Sequence, residues 1–227
     1  GEKLARAVRG LTIRLCDPAM LEQSSGAKRG REDQTKHERD ATAAAATSLR
    51  WLIRHGLNQA CSQAVGIAIS TLVEIVGVVR PTILGPILPD LLKSLLRAMS
   101  GLEPAALNYL QLRTDDQEGL ERIRLKLAQS GPLATAVTKC LDLLPSVHID
   151  IQKAVIPQLD AALRMAAGFA TRAAAADAVS TLCATCPDAF RFSGPTNANP
   201  TVRLLRAFYF ASERERGQGA KDKMIHA

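Results

Sequence analysis

Six apolar residues, Leu88, Leu91, Leu92, Leu95, Leu96 and Met99, recur at alternating steps of three and one, the spacing that puts them on one face of an α-helix. Pro81, Gly85, Pro86 and Pro89 mark the turn before them, since proline opens a helix far more readily than it continues one. The same alternation of apolar stripe and breaker runs through the chain. Ala45, Leu49, Leu52 and Ile53, with Trp51 to one side, predict a helix over 41–55 that ends at Gly56, and a second helix follows from Gln59 to Val79. Further helices are predicted over 132–144 and over 149–167, where Val155, Ile156, Leu159, Leu163 and Ala166 are apolar and Pro157 must kink the stretch or open its main helix. Gly168 supplies a turn, Thr171 to Cys186 reads as the antiparallel return ended by Pro187, and 200–211 is one more helix with Val202, Leu205, Phe208 and Tyr209 inward. With 36 Ala, 30 Leu and only 4% aromatics, the composition favours helices in close small-residue contact and excludes a β-sandwich or barrel.

The remaining stretches are read from what they lack. Residues 3–16 form the amphipathic end of a helix closed by Asp17-Pro18, and residues 19–40, charged and without apolar periodicity, are expected to be a mobile loop. Residues 102–112 are apolar, and Thr114 to Gln129 is a charged helix with an acidic first turn and a narrow stripe of Leu120, Ile123 and Leu127. A polar tail over 213–227 reads as the start of a next repeat. The opening residues show no Met and no apolar leader, while Leu4, Ala5, Val8, Leu11 and Leu15 already run at helical spacing, so the chain is expected to start inside a helix of something larger. The most apolar run, Ala64 to Val79, is broken by Ser70, Thr71 and Glu74 and falls short of the roughly 18 to 20 residues of a membrane span. It is predicted to be a core helix.

An internal echo bears on the architecture. Ala68-Ile69-Ser70-Thr71-Leu72 reappears as Ala178-Val179-Ser180-Thr181-Leu182, and each copy is followed by a Gly-Pro pair, Gly85-Pro86 and Gly194-Pro195. An offset of 110 residues accommodates two long or three short helical hairpins, close to the period of HEAT and armadillo units of about 40 to 47 residues. The predicted fold class is therefore all-α, a HEAT/armadillo-like α-solenoid of stacked antiparallel helix pairs over residues 1–212.

Residues able to carry chemistry do not assemble in the sequence. The net charge of +7 invites a nucleic-acid partner, yet the segment from Glu22 to Asp40 balances five basic against five acidic residues, and no basic stripe is interleaved with aromatics. Lys28-Arg29-Gly30-Arg31 is followed at once by acids and reads as a solvated loop. Five cysteines, at 16, 61, 140, 183 and 186, make no disulfide framework and suit a reducing compartment. Cys183-Ala184-Thr185-Cys186 has the spacing of redox and zinc pairs but stands at a helix end, where the dipole opposes a thiolate, so it reads as a structural pair of buried thiols. His37, His55, His148 and His226 are dispersed, Asp115 and Asp116 point to different sides of a helix, and no phosphate loop, dinucleotide fingerprint or nucleophile elbow occurs. No catalytic residue, cofactor or metal ligand is predicted.

The run Leu102 to Arg113, LEPAALNYLQLR, resembles the HEAT-repeat proteasome adaptor and scaffold family of the extracellular-mutant (Ecm) type. Its Glu-Pro and Asn-Tyr pairs are not demanded by helix patterning, which makes it the most specific part. The resemblance extends to Lys3–Pro18 and to Ile156–Gly194, covers most of residues 3–195 and fades after Gly194, while residues 20–40 are longer and more charged than the family's linker. It implies a piece of a longer solenoid: a non-catalytic adaptor that contacts the regulatory and core particles of the 26S proteasome and supports its assembly, stability or localisation, in the cytoplasm and also the nucleus. It implies protein partners, with no nucleic acid and no membrane insertion. Arg172 resembles the basic residue that HEAT-type units place between repeats, and the partner-binding residues are not specified. Another HEAT-type scaffold, such as a transport receptor, is the alternative reading.

Overall fold

The computed structural model describes residues 3, 6, 7, 9, 10, 14, 31–57, 62–101, 117–165, 169–191 and 199–214. Every regular element among them is helical. In chain order these are α1 (Arg31–Trp51), running on into a π-helical turn (Leu52–Gly56), α2 (Ser62–Val78), α3 (Pro81–Leu84) with the 3-10 turn Gly85–Ile87, α4 (Leu88–Gly101), α5 (Gln117–Ser130), α6 (Pro132–Leu143) with the turn Leu144–Ser146, α7 (Ile149–Met165), α8 (Phe169–Thr185) with the turn Pro187–Phe190, and α9 (Pro200–Arg214). The chain divides into two compact units, residues 1–91 and 92–227.

In the first unit α1 begins at Arg31, so the helix takes in residues 31–40 of the stretch expected to be a loop. The correction has a local cause. This stretch contains no Gly or Pro after Gly30, and Glu32 to Lys36 and Lys36 to Asp40 are opposite charges four residues apart, which favours a solvated helix without any apolar stripe. Residues 19–30 lie outside the described residues, as does the Gly-Pro pair at 194–195. The predicted face of Ala45, Leu49 and Leu52 is buried, and α1 packs on α3.

The last turn of this helix widens to π geometry, with the Leu57 amide donating to the Leu52 carbonyl at 3.2 Å, and it seats Gly56 directly on α2. A Cβ built at Gly56 would come within 2.5 Å of the Ala68 Cβ, so the two backbones approach more closely than any side chain at 56 permits. Along α2 the apolar residues Val65, Ala68, Ile69, Leu72, Ile75 and Val76 are buried. Thr71 is buried among them because its hydroxyl donates to the Ile67 carbonyl at 2.7 Å. On the exposed side Arg9 meets Glu74 at 2.9 Å. Arg80 is extended, as the residue before proline must be, and Pro81 opens α3.

The six residues of the α4 stripe are all buried. In the second unit α8 is the central element: it packs on α5, α6 and α7, and its Ala170, Ala173, Ala175, Ala176, Ala178, Val179 and Leu182 are buried around most of its circumference. Only methyl-sized side chains allow one helix to be approached from so many sides. Thr171, also buried, donates its hydroxyl to the Leu96 carbonyl at 2.9 Å. The echoed segments occupy the same phase in α2 and α8: Ala, the β-branched residue and Leu are buried in both, and Thr181 donates to the Asp177 carbonyl at 2.9 Å as Thr71 does to Ile67.

Pro157 neither ends nor opens α7 but sits inside it. Pro157 and Lys153 are both exposed, so the carbonyl left without an amide donor faces water. Gln152 reaches back from the same helix, donating to the Leu144 and Val147 carbonyls at 2.9 and 3.2 Å. In α5, Leu120 is buried as expected, but Ile123 is 51% exposed, because α5 packs only along the narrow side facing α6 and α8. The side chain of Leu127, residues 102–116, Gly168 and the tail from 215 lie outside what is described.

Gly56→Ala is expected to lower the unfolding free energy by about 1–3 kcal/mol through overpacking. In urea titrations the same substitution should cost clearly less in an Ala68→Gly background, where the opposing methyl is gone.

Candidate functional site

The residues singled out for chemistry remain apart. Cys183 is exposed at the C-terminal end of α8, while Cys186 is buried one residue past it, with the Thr185 hydroxyl 3.7 Å from its sulfur. Only one of the two is thus a buried thiol, which corrects the expected pair. Ala184 and Thr185 at the helix end separate them, and the Cys183 thiol is pushed up by partial desolvation. A thiolate there would also meet the negative end of the helix dipole. The third described thiol, Cys140, is fully buried in α6 and burial pushes it up from 9.0 to about 12. Among the described residues no group of three His, Cys, Asp or Glu side chains could hold a metal ion.

His55 is exposed on the π-helical turn with its ring 5.6 Å from Trp51. His148 precedes α7, where its Nδ1 accepts from the Asp150 amide at 3.4 Å, the role of an N-cap. His226 and the side chain of His37 lie outside the described residues. Arg172 is half-buried in the first turn of α8. A cleft between α5, α6 and α8 is lined by Val137, Thr138, Leu141, Ala173, Asp177 and Thr181 and measures about 130 Å³, well below the pockets of about 300 Å³ and more that hold cofactors. No helix among the described residues is long and apolar enough to cross a membrane.

What the second unit does build is an ionic latch between α7 and α9, which the sequence pattern had not signalled. Asp160, 4% exposed, accepts from Arg164 Nε at 2.6 Å on one carboxylate oxygen and from Arg203 Nη2 at 2.9 Å on the other. Arg164 closes the ring by donating from Nη2 to the Arg203 carbonyl at 2.7 Å. Both carboxylate oxygens are satisfied, which is what a buried charge requires. The start of α9 is fixed as well: Asn199 Oδ1 accepts from the Thr201 amide at 2.9 Å, and the Thr201 hydroxyl donates to the Phe190 carbonyl at 3.2 Å.

Of the expected inward face, Val202 and Phe208 are half-buried, while Leu205 and Tyr209 turn outward. Leu204, Ala207 and Ala211 are buried toward α7, whereas Leu205 is 64%, Tyr209 63% and Phe210 54% exposed. The periodicity is real, but α9 carries two apolar faces, and Leu205 and Tyr209 lie on the one that does not pack. Its exposed aromatics touch each other edge to face, with ring centroids 5.7 Å apart.

Consecutive antiparallel helices joined by proline-opened turns, with an echoed second helix, define an all-α solenoid segment of HEAT type. Residues 84–212 match the family model of the proteasome adapter and scaffold protein ECM29, HEAT-repeat domain, and the chain belongs to that family. The match runs past Gly194, after which the resemblance fades in the sequence, and includes Leu102–Arg113, which lies outside the described residues. The human proteasome adapter and scaffold protein ECM29 is 29% identical to this chain over 175 residues, an alignment covering 72% of this chain and 9% of that protein. The chain thus spans under a tenth of the length of that relative. No solved structure matches it.

Asp160→Asn is expected to destabilise the protein by about 1.5–3 kcal/mol, since both arginines lose a charged acceptor. Arg203→Ala should cost only about 1 kcal/mol, since Asp160 keeps Arg164. Differential scanning calorimetry of the two variants checks the order. Cys140 adds a pH dependence: between pH 9.0 and about 12 the unfolded chain has lost a proton that the folded one keeps. Its contribution to stability is whole below pH 9.0 and falls as pH rises, by at most about 1.4 kcal/mol per unit. Cys140→Ala should lack that slope, so the stability difference between the two proteins should fall with pH above 9.0.

Proposed function

We propose that this chain is a non-catalytic segment of a HEAT-repeat scaffold that binds the 26S proteasome and supports its assembly, stability or localisation. The observation that carries the reading is the family match over residues 84–212, together with a relative whose name describes a proteasome adapter and scaffold. A surface role agrees with the physics of the fold. Helical arrays present long faces of modest contacts, and the side chains best suited to chemistry here are dispersed, solvated or engaged in holding helices together. The proposed setting is the cytoplasm, with the nucleus a second site.

The test uses the protein that contains this chain, tagged and purified from cytosol with and without residues 84–212, with co-purifying proteins quantified by mass spectrometry. Proteasome subunits at near-stoichiometric levels, reduced at least several-fold by the deletion, are expected. Subunits at background with another partner enriched would overturn the proteasome reading and favour a different HEAT-type scaffold, such as a transport receptor.

A further inference from the structure

α9 carries apolar residues on two sides. Leu204, Ala207 and Ala211 are buried toward α7. Val202, Leu205 and Tyr209 follow at the three-and-four spacing of a second stripe, on which Leu205 and Tyr209 are exposed, and Phe210 extends the exposed apolar surface beside Tyr209. A helix apolar on two sides is built to lie between two neighbours, and α7 supplies one of them.

The charges beside the second stripe point to the other neighbour. Arg206 and Glu213 are both exposed, and neither forms an ion pair among the described residues. They stand seven positions apart, about two helical turns, and so share one side of the stripe. In an antiparallel pair of identical helices, residues equidistant from the twofold axis face one another across it. An axis between Tyr209 and Phe210 sets Arg206 of each copy opposite Glu213 of the other and brings the two aromatic pairs together between them. The face is therefore complementary to itself in charge. Parallel pairing would set Arg206 against Arg206 and Glu213 against Glu213, so the charges also select the direction.

We propose that the outer face of α9 docks antiparallel on the same face of a second copy of this chain, with two Arg206–Glu213 pairs flanking the Tyr209 and Phe210 rings of both copies. The Asp160 latch takes no part in the contact and holds α9 on α7 within each copy. One helix face per copy stays at the small end of protein interfaces, so the association is weak and grows with concentration.

Sedimentation velocity of the purified protein that contains this chain, over a concentration series, tests this. A monomer–dimer equilibrium is expected. Arg206→Glu should raise its dissociation constant at least about tenfold, and Glu213→Arg likewise, since each variant sets like charges opposite one another twice. An equimolar mixture of the two variants should recover the unsubstituted behaviour, because both cross pairs are then opposite in charge, and that recovery shows each variant to be folded. A monomer at every concentration overturns the proposal. So does a dimer that both charge reversals leave unchanged, and so does a loss that mixing does not repair. A monomer whose co-purifying proteasome subunits fall on Arg206→Glu would assign the face to that partner and equally overturn it.

Discussion

Much of the second unit packs on a helix whose buried surface is mostly alanine. Five buried alanines in α8 let α5, α6 and α7 come up to it from different sides, and dispersion contacts between close backbones replace the bulky interdigitation of a leucine core. Such packing tolerates little extra volume, since each methyl already fills its gap. The first unit repeats the device at one point, where the π-helical turn brings Gly56 onto Ala68. Close approach sets the positions of these helices, and larger leucines and isoleucines fill the space left between them.

Close packing of small residues is not directional, and helices so packed could slide or rotate. Buried polar groups remove that freedom. Asp160 holds Arg164 and Arg203, Thr171 bonds the Leu96 carbonyl, and Gln152 spans two carbonyls of the preceding turn. Apart from the Arg164–Asp160 pair within α7, each bond ties a side chain to one particular atom of another element and so fixes a register. The latch at Asp160 joins α9 to α7 on the same side as its buried Leu204, Ala207 and Ala211. Chemistry that resembles a site when read residue by residue, a buried acid flanked by two arginines, is here fully occupied in construction.

The sequence was most legible where one apolar stripe stood against polar surroundings. The stripe of α4 and the boundaries of α6 and α8 fall within a few residues of where periodicity and proline put them, and the echo in α2 and α8 keeps the same buried phase. It was least legible where pattern and packing separate. Residues 31–40 have no stripe, so helix propensity and charge spacing alone had to announce α1. In α9 two stripes compete, and periodicity alone does not choose between them: Leu205 and Tyr209 lie on the one that does not pack, while an ion pair spanning 43 positions joins α9 to α7 on the side of the other. Pro157 illustrates a third limit, since its tolerance inside α7 depends on the Lys153 carbonyl facing solvent, a fact of tertiary placement. The family was readable from a few pairs in Leu102–Arg113 that no folding rule requires, and from nothing in the latch or the alanine packing.

The proline within α7 also has a mechanical meaning. A repeat array passes force from each helix pair to its neighbours, and its stiffness along that line is set by the weakest rung of the helices that bear it. At Pro157 one rung of the backbone ladder is absent by covalent necessity, on the exposed side of the helix. In α7 that weakest rung lies on the solvent side, about one turn before the Asp160 carboxylate that ties the helix to α9.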